Sequence, residues 1–179
     1  MSKQIELRLS GSGGQGLILA GIIIAEAAII DGKNAIQTQS YGPEARGGAS
    51  KAEVLVCEDP INYPKVQAPN LVLALTQIAA DKYAHTITEE GILLVDESLR
   101  ISDDIKARKI IKAPMLSIAK NVVGKSIVAN IVAIGAIVAL TEVVSRESLE
   151  KALLQRVPKG TEELNKKALL EGYKLALNY

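Results

Sequence analysis

Strands alternating with helices, then a purely helical end, predict a three-layer α/β/α sandwich with a mostly parallel central sheet and a helical C-terminal part over about residues 114–179. Three observations carry this reading. A short alternating apolar segment near the start runs through a glycine cluster into a long apolar stretch, the order strand, tight turn, helix. Two uniformly apolar runs, Leu71-Val72-Leu73-Ala74-Leu75 and Ile92-Leu93-Leu94-Val95, suit strands buried on both faces. From Pro114 onward the pattern is helical. At 179 residues the chain is read as one α/β domain, 1–179, long enough to bury a substantial core.

Taken in order, residues 4–9 form the first strand and 16–30 the first helix, with Asp31-Gly32 as its stop. A second strand covers 35–39, and a loop dense in turn formers follows. Residues 49–57 alternate as a strand and are broken by Glu58-Asp59-Pro60. The run 71–75 is a central strand, 76–85 a short helix, and 91–97 a buried strand ending in two carboxylates. A charged connection, 102–108, leads to a short strand at 109–112. Helices are expected at 115–121, 126–144, 146–157 and 161–178. Ser145-Arg146-Glu147-Ser148 carries a cap-like signal, Pro158-Lys159-Gly160 separates the last two helices, and Leu164, Ala168, Leu169, Tyr173 and Leu177 make the last one amphipathic.

Composition excludes several classes of function. The net charge of +1 leaves no electrostatic footprint for nucleic acid or a membrane surface. With five Tyr, no Phe and no Trp, the core must be built from Ile, Leu, Val and Ala. Cys57 is the single cysteine, so no disulfide forms within the chain, and no iron–sulfur cluster or structural zinc is held by it alone. A reduced, cytoplasmic setting follows. The start reads as a strand rather than a signal peptide. The apolar stretches 17–30 and 127–140 carry Glu26 and Asn130 and fall short of the about 20 residues a span needs, so both are read as core helices.

The chemistry-bearing features begin with Gly11, Gly13 and Gly16, which fit the spacing G-x-G-x-x-G. Such a turn lets backbone approach a phosphate, and the helix behind it aims unpaired N–H groups at an anion. An ordinary tight βα turn would also use these glycines. A nicotinamide site is disfavoured, because the second strand ends in Thr38-Gln39-Ser40 without the acid that would hold a ribose. In the loop Tyr41-Gly42-Pro43-Glu44-Ala45-Arg46-Gly47-Gly48, Arg46 offers a planar fork to a phosphate or carboxylate; pairing with Glu44 on an exposed loop is the plainer alternative. His85 is read as a cap or solvent residue, Cys57 as a small core residue, and Asp96 with Glu97 as a solvated strand end. Asn130, Gly135 and Ala136 read as close helix packing plus one buried amide that needs partners. No catalytic set and no metal-ligand set emerges.

Together, Gly11-Ser12-Gly13-Gly14-Gln15-Gly16, the loop from Tyr41 to Gly48 with Ala49-Ser50 after it, and Asn130 with Gly135-Ala136 resemble the gamma subunits of 2-oxoacid:ferredoxin (acceptor) oxidoreductases. The form Tyr-Gly-Pro-Glu-Ala-Arg-Gly-Gly looks most like the 2-oxoglutarate type. The resemblance covers nearly the whole chain. It implies a subunit, inactive by itself, of an enzyme that oxidatively decarboxylates a 2-oxoacid to an acyl-CoA and reduces ferredoxin or a similar acceptor. Thiamine diphosphate and magnesium would lie in alpha and beta subunits, and iron–sulfur clusters in others, often a ferredoxin-like delta subunit.

On that resemblance, Gly11, Ser12, Gly13, Gly14, Gln15, Gly16 and Arg46 are expected to face coenzyme A or the channel to the thiamine site. Tyr41, Gly42, Pro43, Glu44, Arg46, Gly47 and Gly48 are expected at a subunit interface. The alternatives are an independent nucleotide-binding module and a ligand-free scaffold whose exposed apolar face lets the isolated chain self-associate.

Overall fold

The computed structural model describes residues 4–40 and 48–179. Six strands form one sheet: β1 (Ile5–Ser12), β2 (Asn34–Gln39), β3 (Ala49–Cys57), β4 (Leu71–Ala74), β5 (Ile92–Asp96) and β6 (Lys109–Ala113). Their spatial order is β2-β3-β1-β4-β5-β6. From β1 outward to β6 the pairings are parallel, while β3 runs antiparallel to both β1 and β2. The sheet is therefore mixed and mostly parallel, with one strand reversed. That reversal follows from the direct β2–β3 connection, which needs no crossover helix.

The helices are α1 (Leu17–Ile30), α2 (Gln77–Tyr83), α3 (Met115–Ser117), α4 (Ala129–Thr141), α5 (Arg146–Arg156) and α6 (Glu162–Ala176). One sheet face carries the main core: Leu7, Leu9, Val54, Val56, Leu71 and Leu73 pack under α1, α4, α5 and α6. The opposite face carries a smaller core, in which Val72, Ala74, Leu93 and Val95 meet Ala79, Ala80 and Tyr83 of α2. Strict alternation along β4 sends Leu71 and Leu73 one way and Val72 and Ala74 the other. The same period on β1 brings Arg8 and Ser10 to the thin side. There Arg8 Nε donates to Glu53 Oε1 at 2.8 Å, and Lys51 Nζ shares that oxygen at 3.0 Å. Ser10 Oγ donates to the Leu73 carbonyl at 2.6 Å.

Several boundaries differ from the sequence reading. Strand β1 continues to Ser12 because Gly11 and Ser12 pair with Ser50 and Ala49 of β3. The helix expected over 115–121 is one turn of α3 that widens into a π-helix, Ile118–Val123. The helix expected over 126–144 opens as a 3₁₀ turn, Ser126–Val128, and α4 stops at Thr141, since Glu142 adopts a left-handed φ of 51°. Val143 and Val144 are buried in the main core instead. Asp96 is buried rather than solvated: its Oδ1 accepts from the Ser98 N–H and hydroxyl, and its Oδ2 from the Leu116 N–H at 2.9 Å, so it caps α3. Glu97 is exposed, as read.

The cap-like signal at Ser145 is a side-chain N-cap in the structure. Ser145 Oγ accepts from the Ser148 N–H at 3.1 Å, opening α5. Asp31, just past α1, accepts from the Ser145 N–H at 2.6 Å and from the hydroxyls of Ser145 and Ser148 at 2.7 and 2.6 Å. Partial burial works to raise the Asp31 pKa. Donation from Ser148 and Ser145, with Lys33 nearby, outweighs it and holds the carboxyl below its ordinary value. In the helical layer α4 and α6 cross through glycine. A Cβ on Gly172 would stand 2.1 Å from the Val132 carbonyl oxygen, and one on Gly135 2.5 Å from that of Leu169. This meets the expectation of close packing at Gly135.

Because those neighbours are backbone atoms, Gly172→Ala must separate α4 from α6; a loss of about 2–3 kcal/mol is expected in denaturant unfolding. A well-folded variant of unchanged midpoint would contradict the crossing. For Asp31→Asn the expected loss is about 1 kcal/mol at pH 7. A depressed folded pKa gives stability that is complete above the unfolded value and lost as pH falls through the folded one. The difference from the parent chain should therefore shrink as the pH falls through and below the ordinary carboxylate range, in urea titrations at several pH values.

Candidate anion site at the glycine turn

Chain direction decides where a ligand can sit. From β1 the chain leaves over the main-core face through α1 toward β2; from β4 it leaves over the opposite face through α2 toward β5. Adjacent strands whose connections part to opposite faces leave a crevice beyond their carboxyl ends, the usual ligand position in open α/β sheets. The glycine turn lies at that point on one side. Leu75 and Thr76, leading into α2, lie on the other, where Thr76 Oγ1 accepts from the Ala79 N–H at 3.3 Å. Sequence reading missed this second wall, although a threonine directly after an apolar strand is an N-cap signal.

Within the turn the glycines serve different ends. Gly13 and Gly14 are exposed, and a Cβ on Gly14, where φ is +86°, would meet nothing within 4 Å. Gly11 is buried inside β1, and a Cβ there would lie 2.3 Å from Oε1 of Gln15. That oxygen folds back to accept from the Ser12 N–H at 2.8 Å. Gly16 precedes α1 in the left-handed region at φ 71°, and a Cβ on it would lie 2.5 Å from Nδ2 of Asn130. Asn130, 4% exposed on the first turn of α4, donates to the Gly16 carbonyl at 3.0 Å and accepts from the Ile131 N–H at 3.0 Å. So the spacing Gly11-x-Gly13-x-x-Gly16 makes room for two carboxamides at its ends, and only the middle is open to a ligand. Gly16 brings no side-chain acceptor to α1, which leaves first-turn N–H groups directed outward.

Tyr41, Gly42, Pro43, Glu44, Arg46 and Gly47 lie outside the described residues. Gly48 is half-buried and precedes Ala49, which pairs with Ser12, so the chain returns from that loop beside the glycine turn. His85 is exposed in a 3₁₀ turn, and Cys57 is buried at the end of β3. Among the described residues no three His, Cys, Asp or Glu side chains converge as metal ligands, and no helix is long and apolar enough to cross a membrane. Beside Asn130 runs a groove of about 340 Å³ lined by Leu19, Val128, Ile131, Val157 and Leu164, with Ile127 standing 74% exposed at its rim.

An open, mixed α/β sheet with helices on both faces and a glycine turn at its switch point defines the class of domain. The chain belongs to the pyruvate ferredoxin/flavodoxin oxidoreductase family, whose model matches residues 6–175. It is 52% identical over 174 residues to the 2-oxoglutarate synthase subunit KorC of Methanocaldococcus jannaschii, covering 96% of this chain and 93% of that protein. The KorC of Methanothermobacter thermautotrophicus is 45% identical over 179 residues, covering 96% and 95%. Among solved structures, the keto/oxoacid ferredoxin oxidoreductase gamma subunit from Geobacter sulfurreducens superposes with a TM-score of 0.87 at 51% identity, over 98% of this chain and 99% of that one. The same fold, at 21% identity and a TM-score of 0.88, makes up 32% of a chain of the Magnetococcus marinus 2-oxoglutarate:ferredoxin oxidoreductase, a structure with 2-oxoglutarate, coenzyme A and succinyl-CoA bound.

The contact between Gly11 and Gln15 predicts coupled substitutions. Gly11→Ala should displace the Gln15 amide from Ser12 and cost about 1–3 kcal/mol, and so should Gln15→Ala to a lesser degree. In the double variant the losses should fall well short of additive in a denaturant cycle. Strict additivity would remove the amide from its place over Gly11.

Proposed function

We propose that this chain is the gamma subunit of a thiamine-diphosphate-dependent 2-oxoacid:ferredoxin oxidoreductase acting on 2-oxoglutarate, and that its glycine turn takes a phosphate of coenzyme A. The observation that carries the subunit reading is full-length similarity to KorC subunits at 45–52% identity. Support for the ligand comes from the turn itself: exposed Gly13 and Gly14, an uncapped α1 behind them, and a crevice between β1 and β4. Arg46 would add a charged fork from the adjoining loop. Thiamine diphosphate, with magnesium in alpha and beta subunits, supplies the decarboxylation chemistry; this chain's work is to bind and orient the acyl acceptor. One buried cysteine offers no cluster ligation, so iron–sulfur clusters belong to other subunits, a ferredoxin-like delta among them, which pass electrons to ferredoxin. The apolar groove with exposed Ile127 suits a chain that is covered by partners.

Purification through a tag on this chain should recover two thiamine-diphosphate-binding subunits and 2-oxoglutarate- and CoA-dependent reduction of ferredoxin. A lone chain with a tightly bound nucleotide would contradict the subunit reading and favour the independent module. In the assembled enzyme Arg46→Ala should raise the KM for CoA about 10-fold, as loss of one charge-assisted hydrogen bond does, with kcat little changed. An unaltered KM would take Arg46 out of the site.

A further inference from the structure

We infer that Asn130 is a positioning residue for the glycine turn: its carboxamide, delivered by α4, sets the backbone of Gly16 and with it the direction of the first N–H groups of α1. The inference rests, for its effect on catalysis, on the reading that the turn binds CoA. Asn130 is the only polar residue of α4 before Thr141, and burying an amide in so apolar a helix is unfavourable unless it is satisfied. Both of its ends are satisfied. Nδ2 reaches across 114 residues of sequence to the Gly16 carbonyl, and Oδ1 takes the Ile131 N–H.

The Gly16 carbonyl also accepts the Ala20 N–H at 3.0 Å, so it holds the first bond of α1 and the bond to α4 together. The two donors converge on one oxygen, which fixes the orientation of the peptide between Gly16 and Leu17. Gly16 cannot be replaced by a residue with a side chain here, because its φ is +71° and because the amide occupies the Cβ position. Behind Asn130, α4 is held by the glycine crossing with α6, which leaves the amide little freedom to withdraw. A helix from the C-terminal half thus controls the geometry of a site built by the first thirty residues. The hydrogen bonds of the Asn130 carboxamide go to Gly16 and Ile131, so it acts on the turn through Gly16.

The test uses the assembled complex with Asn130→Asp, which keeps the shape but replaces the donor by an acceptor, and Asn130→Ala as a second variant. Hydrogen–deuterium exchange over residues 11–20, measured without CoA, reads the turn directly. Kinetics with CoA and 2-oxoglutarate varied separately read its consequence. The expected result is at least 10-fold faster exchange at Gln15 and Ala20, whose N–H groups are bonded to Ser12 and to the Gly16 carbonyl, a KM for CoA raised about 10-fold, and kcat and the KM for 2-oxoglutarate within twofold of the parent. Exchange confined to its parental rate in both variants would overturn the inference. Faster exchange with an unaltered KM for CoA would uphold the positioning role and overturn the reading of the turn as the CoA site. Should Asn130→Asp fail to assemble, Asn130→Ala decides by the same two readouts, since it removes the donor without burying a charge beside Gly16.

Discussion

One buried carboxamide joins the two halves of this protein. Asn130 spans from the deeply buried α4 to the first carbonyl of α1, where the chain turns out of the sheet. Its position has no slack: α4 is pressed onto α6 through Gly135 and Gly172, with no room for even a methyl group between the backbones. That crossing in turn seats α4 on the main core, beneath which β1 and β4 run side by side. The glycine turn is therefore anchored by packing far from it and inherits the rigidity of the helical layer.

The asymmetry of the sandwich follows from the same construction. Helices α1, α3, α4, α5 and α6 load one face of the sheet, and α2 with its flanking loops covers the other. On the thin side the chain substitutes a polar arrangement for apolar bulk: Arg8, Lys51 and Glu53 pair beside the ring of Tyr83, with Arg8 6.0 Å and Lys51 5.8 Å from its centroid. Two cations share one carboxylate there.

Much of this was legible in the sequence, and what was not has physical causes. The uniformly apolar runs at β4 and β5 announced central parallel strands, and the order strand, glycine turn, helix fixed the place of α1. The reversal of β3 is consistent with the loop reading but needs pairing partners, which no local pattern specifies. Glu142 ended α4 before the apolar pair Val143-Val144 that the sequence reading had carried into the helix, because the left-handed residue at a helix end need not be glycine. Asp96 looked like a solvated strand end, since the N–H it caps belongs to Leu116, twenty residues on. Gly11 and Gly16 stood out in the sequence as a phosphate-suited spacing, and that spacing alone does not tell a ligand's approach from that of a neighbouring side chain. Only tertiary contact reveals that Gln15 and Asn130 fill those two places. The loop from Tyr41 to Gly47, which carried the most specific resemblance, falls outside the described residues, and the role given to it rests on its sequence.

The central claim is that this chain contributes the surface that meets coenzyme A. Its most direct test is photo-crosslinking of the assembled complex with a photoreactive CoA analogue, followed by mass-spectrometric mapping of the labelled peptides. The account predicts saturable labelling, displaced by CoA, on the peptides containing Gly11–Leu17 and Arg46. Saturable labelling confined to partner subunits, with none on this chain, would contradict it.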